Sequence, residues 1–159
     1  MNSYSPYQVD IEELLLVKNN WDVFADKFIK LPIKVKDVMI SAATTNYLEF
    51  LSKKLGLNQI QSSDLSRIIR DTLLADAFLG DFPALISSKL GVVRDTADQI
   101  ARKIVSELFV PAIEDIKAMQ KEKFSSRISQ SQTNQTQTQP PRQNINPEQG
   151  NVINLRNQK

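Results

Sequence analysis

The chain has 159 residues, 41% apolar and 24% charged, with a formal net charge of +2. That length and balance predict a single globular domain of ordinary size. The absence of cysteine and histidine excludes disulfides, thiolate nucleophiles, Ser-His and Cys-His pairings and most zinc sites. What remains for catalysis is carboxylates, lysines or Mg²⁺. The expectation is a non-enzyme with no metal and no cofactor. No apolar run approaches the roughly 18 residues that a membrane span needs. Leu14-Leu15-Leu16-Val17 follows Asp10, Glu12 and Glu13, whereas a secretory signal places basic residues there. A cytoplasmic protein is therefore expected.

In chain order, Ile11 to Val17 reads as a first helix and Trp21 to Lys30 as a second. Asn19-Asn20 separates them, and Trp21, Phe24, Phe28 and Ile29 turn inward. Pro32 ends the second. Ile33 to Val38 alternates like a strand, but no partner strand is visible, so a short helix or connector is preferred. A helix over about 44–55 buries Tyr47, Leu48, Leu51 and Leu55 and stops at Gly56. The next runs from about Ser63 to Ala77, capped by Ser62 or Ser63, with Leu65, Ile68, Ile69, Thr72 and Leu73 inside. Asp81-Phe82-Pro83 opens a short helix that ends at Leu90 before Gly91.

The clearest pattern is Ala97, Ile100, Ala101, Ile104, Val105, Leu108, Phe109, Ala112, Ile113, Ile116 and Met119. Steps of three and four draw one apolar stripe. Thr96 and Gln99 have capping-box spacing at its start. Pro111 should kink or split it. The length of this stripe leaves homodimerisation open.

Composition changes after Phe124. From Ser125 to Asn151 only Ile128 and Ile145 are aliphatic, and 130–141 is low-complexity Gln, Ser, Thr, Asn and Pro. Such a stretch buries too little apolar surface to offset an ordering cost of roughly 1–2 kcal/mol per residue. The domain boundary is therefore set at a helical 1–122 and a disordered tail 123–159. Charge divides near the same place. Residues 1–120 hold 14 basic and 16 acidic residues, a net −2, and 121–159 hold six and two, a net +4.

Two patterns carry candidate contacts. Ile86 to Ile100 is similar to a helix-turn-helix, with Leu90-Gly91-Val92 as its turn. Arg94, Gln99, Arg102 and Lys103 would then face DNA. Asp95 and Asp98 would repel phosphates there, and an ordinary packed hairpin is preferred. At the far end, Val152, Ile153 and Leu155 return beside Arg156. A short apolar-basic segment on a tether suits partner binding. The acids Asp71, Asp76 and Asp81 read as a solvated face and caps.

There is also an internal echo. Phe50-Leu51-Ser52-Lys53-Lys54-Leu55-Gly56-Leu57 matches Leu85-Ile86-Ser87-Ser88-Lys89-Leu90-Gly91-Val92 at an offset of 35, and Leu65, Ile69 and Leu73 fall on Ile100, Ile104 and Leu108. A doubled helical hairpin would give this, as would two hairpins that merely share a Leu-Gly stop.

Leu31-Pro32 with Val38-Met39-Ile40-Ser41 and Thr44-Thr45, then Leu55-Gly56-Leu57, then Ala97 to Ile116 through Leu108-Phe109-Val110-Pro111, resemble a group of small uncharacterised bacterial helical proteins over about residues 20–117. The resemblance implies a helical domain and no activity. The expected architecture is all-α, a closed bundle of five or six helices over about 8–120. The expected function is a protein-protein interaction or adaptor module with an unidentified protein partner. A helix-turn-helix nucleic-acid binder is the alternative, and an enzyme comes third.

Overall fold

Helix starts and stops follow short-range chemistry throughout. The computed structural model describes residues 3–129. They form α1 (Ile11–Leu16), α2 (Lys18–Lys30), α3 (Ile33–Ile40), α4 (Ala42–Leu55), α5 (Gln59–Leu73), α6 (Phe82–Leu90), α7 (Arg94–Glu107) and α8 (Ile113–Lys123). Short 3₁₀ turns occupy Leu79–Asp81 and Val110–Ala112, and residues 125–129 are also helical. No strand occurs among the described residues, so the alternation after Pro32 belongs to a helix, α3.

Several boundaries differ from those expected, each for a local reason. Val17 at φ −118°, not Asn19-Asn20, separates α1 from α2. α5 begins earlier, because Asn58 and Gln61 form a reciprocal capping box with bonds of 2.9 and 3.0 Å. Ser62 and Ser63, the expected caps, are buried inside that helix. α5 also ends at Leu73 rather than Ala77, and Ala75 follows at φ +53°. α7 starts at Arg94 with Val93 at the cap and no side-chain cap bond, so Thr96 and Gln99 form no capping box. Ile29 points outward at 70% exposure, while Phe24 is buried and Trp21 and Phe28 are half-buried.

Pro111 does split the long stripe. It has no N–H, and its ring crowds the carbonyl four residues back, which is that of Glu107. α7 ends at that residue, and the chain makes a 3₁₀ turn before α8. Phe109 at this elbow is fully buried, with its ring 5.7 Å from that of Phe82. Around them one core joins Val38 and Met39 of α3, Leu48 and Leu51 of α4, Leu65, Ile69 and Leu73 of α5, Ile86 of α6, Ile104 of α7 and Ile116 of α8.

Gly56 and Gly91 end α4 and α6 at φ +66° and +69°. An added Cβ would meet nothing within 4 Å at either position. The cost of Gly91→Ala is therefore conformational alone, about 1–2 kcal/mol. A urea titration of the variant should show that loss at an unchanged m-value.

Both chain ends of the described region are tied down by polar contacts. Residues 3–10 lie on α5, where Ser66 Oγ donates to the Ser3 carbonyl at 2.7 Å and Arg70 to the Val9 carbonyl at 2.9 Å. Beyond the boundary read at 122, Phe124 packs on Phe78 with ring centroids 5.3 Å apart. Arg127 lies over the Phe78 ring and donates twice to Asp81, at 2.8 and 2.9 Å. Asp76 accepts from Lys27 of α2 and Lys123 of α8. Asp76 and Asp81 thus act as ion-pair partners that fasten the end of α8, and Asp81 makes no side-chain cap bond to α6.

Candidate functional site

Where Pro111 breaks the helix, the surface opens. A cleft of about 420 Å³ lies between α3, the first turns of α4 and the α7–α8 elbow. Val38, Leu108 and Pro111 give it apolar walls, and Lys34, Asp37, Tyr47 and Glu107 bring polar groups to it. Ile40 and Val110, next in sequence to the wall residues, are exposed at 53% and 57%.

Each polar group is placed by local structure. Ser41 caps α4: its Oγ accepts the Thr44 N–H at 3.1 Å and donates to Thr44 Oγ1 at 3.0 Å, so these two hydroxyls satisfy each other. Glu107 sits in the last turn of α7, where a negative side chain adds to the negative end of the helix dipole. Lys103, one turn back, donates to it and holds its carboxyl below the ordinary range. Lys34 and Asp37 lie one turn apart on α3, and neither forms an ion pair among the described residues.

Tyr47 differs from the rest. Its hydroxyl oxygen is buried beside the Glu107 carboxylate. Burial first, then the adjacent Glu107 carboxylate, push its phenol upward. The hydroxyl and this carboxylate lie close together on the cleft wall.

The residues expected at a nucleic-acid face are differently arranged. Arg94 is exposed and pairs with Asp98 at 3.3 Å, while Lys103 is occupied by Glu107. Gln99 and Arg102 are exposed. Arg102 lines a separate shallow cleft with Asp98, Phe82, Pro83 and Val105. Asp95 stands in the first turn of α7, so acids interrupt the cations and no contiguous basic face runs over 89–103. Ser87 closes the hairpin turn by donating to the Val92 carbonyl at 2.7 Å. Val152, Ile153, Leu155 and Arg156 lie outside the described residues.

Among the described residues no group of three or more His, Cys, Asp or Glu side chains could hold a metal ion. No helix there is long and apolar enough to cross a membrane. No protein-family model, curated protein or solved structure matches the chain.

The composition of the sequence signalled none of Lys34, Asp37, Tyr47 and Glu107 as a group. The signal that existed was Pro111. A proline inside a strong helical stripe marks where the ladder must open, and the cleft lies there.

Proposed function

We propose that the protein is a non-enzymatic interaction module that receives an apolar segment carrying a cation in the cleft between α3, α4 and the α7–α8 elbow. The observation that carries this reading is the cleft itself, apolar along Val38, Leu108 and Pro111 and edged by the exposed carboxylate of Asp37, which forms no ion pair among the described residues. Apolar walls take aliphatic side chains. Asp37 and the carbonyl end of α7 favour a positive group at the rim, where Glu107 is already paired with Lys103. A short extended segment with aliphatic residues and one Arg or Lys has both features.

The two hairpins α4–α5 and α6–α7 serve here as the frame. We read them as a doubled unit, because Leu51 and Ile86, Leu65 and Ile100, Ile69 and Ile104, and Leu73 and Leu108 are all buried at the same offset.

Panning the full chain against a displayed random-peptide library tests the reading. The expected result is enrichment of segments with two or three aliphatic residues beside a basic one. Asp37→Lys reverses an exposed charge and should abolish that enrichment without changing the melting temperature. A library that yields no such segments, or enriches them equally on Asp37→Lys, would overturn the reading.

A further inference from the structure

We infer that this cleft is occupied by the chain's own segment Val152-Ile153-Asn154-Leu155-Arg156, docked within the same molecule. The inference rests on the peptide-binding reading above and names the occupant. Between 130 and 159 the aliphatic residues are Ile145, Val152, Ile153 and Leu155, and the cations are Arg142, Arg156 and Lys159. Only over 152–156 do several aliphatic residues and a cation fall together. The match to the cleft is one of type and order. Val152, Ile153 and Leu155 suit the walls formed by Val38, Leu108 and Pro111. Arg156 brings a cation to Asp37, which forms no ion pair among the described residues, while Glu107 is already paired with Lys103.

Reach does not limit the docking. The 22 residues between Ser129 and Val152 span up to about 75 Å when extended. A domain of this size is roughly 35 Å across. Strength does not limit it either. Covalent attachment through about 22 residues corresponds to an effective concentration of about 1 mM, so a segment that binds the cleft at about 100 μM when free would be about nine-tenths docked when attached. The consequence is regulatory. A partner segment must compete about tenfold harder for the full chain than for one whose terminal segment has been disabled.

Because the chain has no cysteine, one label can be placed without removing native residues. Asn157→Cys, carrying a nitroxide, is examined by paramagnetic relaxation enhancement in the full ¹⁵N-labelled chain. The expected result is loss of amide signal over 34–44 and 107–111, recovered when Leu155→Ser is added. The loss should vanish when nitroxide-labelled ¹⁴N chains are mixed with unlabelled ¹⁵N chains. Signal loss on another face, no loss at all, or loss that persists in the mixed sample overturns docking within one molecule. The last of these outcomes would assign the cleft to a second copy. Adding excess free peptide of sequence 150–159 to the ¹⁵N chain separates the two readings. Shifts in the same amides without intramolecular signal loss would sink the occupant alone. Shifts from neither source would sink the cleft reading with it.

Discussion

Gln120→Leu is expected to destabilise the fold by about 2–4 kcal/mol, with little change in the volume it fills. Gln120 is 3% exposed on α8. Its Oε1 accepts the Leu79 N–H at 2.9 Å, and its Nε2 donates to the Ala77 carbonyl at 3.0 Å and the Thr72 carbonyl at 3.3 Å. One amide thereby bonds one backbone group in the last turn of α5 and two in the segment between α5 and α6. Leucine would strand the Leu79 N–H and the Ala77 carbonyl, while the Thr72 carbonyl keeps the Ala75 N–H, and each stranded group costs about 1–3 kcal/mol where water cannot reach it. Ala77 and Leu79 are half-buried, so water recovers part of that sum. The melting temperature should fall by about 10 °C. Gln120→Glu separates the hydrogen-bond account from a packing account. An ionised carboxylate can still accept from Leu79 but faces the two carbonyls, so its folded-state pKa is raised. That variant should therefore gain stability as pH falls through the raised value, because the neutral acid can again donate. A Gln120→Leu protein that melts with the wild type would show that the three contacts contribute nothing net.

The segment held by Gln120 marks the limit of what the sequence made legible. Helices whose boundaries depend on their own residues were visible. Gly56 and Gly91 stop α4 and α6, and Pro111 splits α7 from α8, as local backbone chemistry requires. The N-cap of α5 was also encoded locally, in Asn58 and Gln61, but Ser62 and Ser63 stand close enough to compete for that role. What was not legible depends on distant partners. Gln120 falls in the polar background of α8, and nothing in its neighbours announces Leu79 or Thr72. Compositional bias placed the end of the helical domain at 122, yet Phe124 and Arg127 are held by Phe78 and Asp81, contacts that span more than 40 positions. The candidate cleft is of the same kind. Lys34, Asp37, Tyr47 and Glu107 come from three helices, and their convergence needs the elbow as well as the residues.

The polar residues just before α1 extend that argument to pH. Asp10→Asn is expected to cost about 1–3 kcal/mol at neutral pH, a cost that shrinks as pH falls below 3.8 and on through the lowered folded-state value. Asp10 is 8% exposed, and it accepts from Arg67 at 2.6 and 2.7 Å and from Arg70 at 3.3 Å. Those two arginines belong to α5, so the cluster ties the residues before α1 to the centre of the bundle. The Arg67 hydrogen bonds are the largest cause that holds the Asp10 carboxyl below its ordinary 3.8, and burial opposes them. A carboxylate depressed in the folded state stabilises the fold above the unfolded value. That contribution is lost as pH falls through the folded one. Asn is the informative replacement, because Asp10 has φ +62°, a left-handed conformation that Asn adopts at less cost than Ala. Asp71, beside Arg70, works in the opposite sense, since burial raises its carboxyl. It titrates in both proteins, so its share largely cancels in the difference between wild type and variant. Denaturant midpoints of the two proteins should therefore converge as pH falls below about 4. A constant gap from pH 7 to pH 3 would mean that Asp10 acts through shape and hydrogen bonding rather than through its charge.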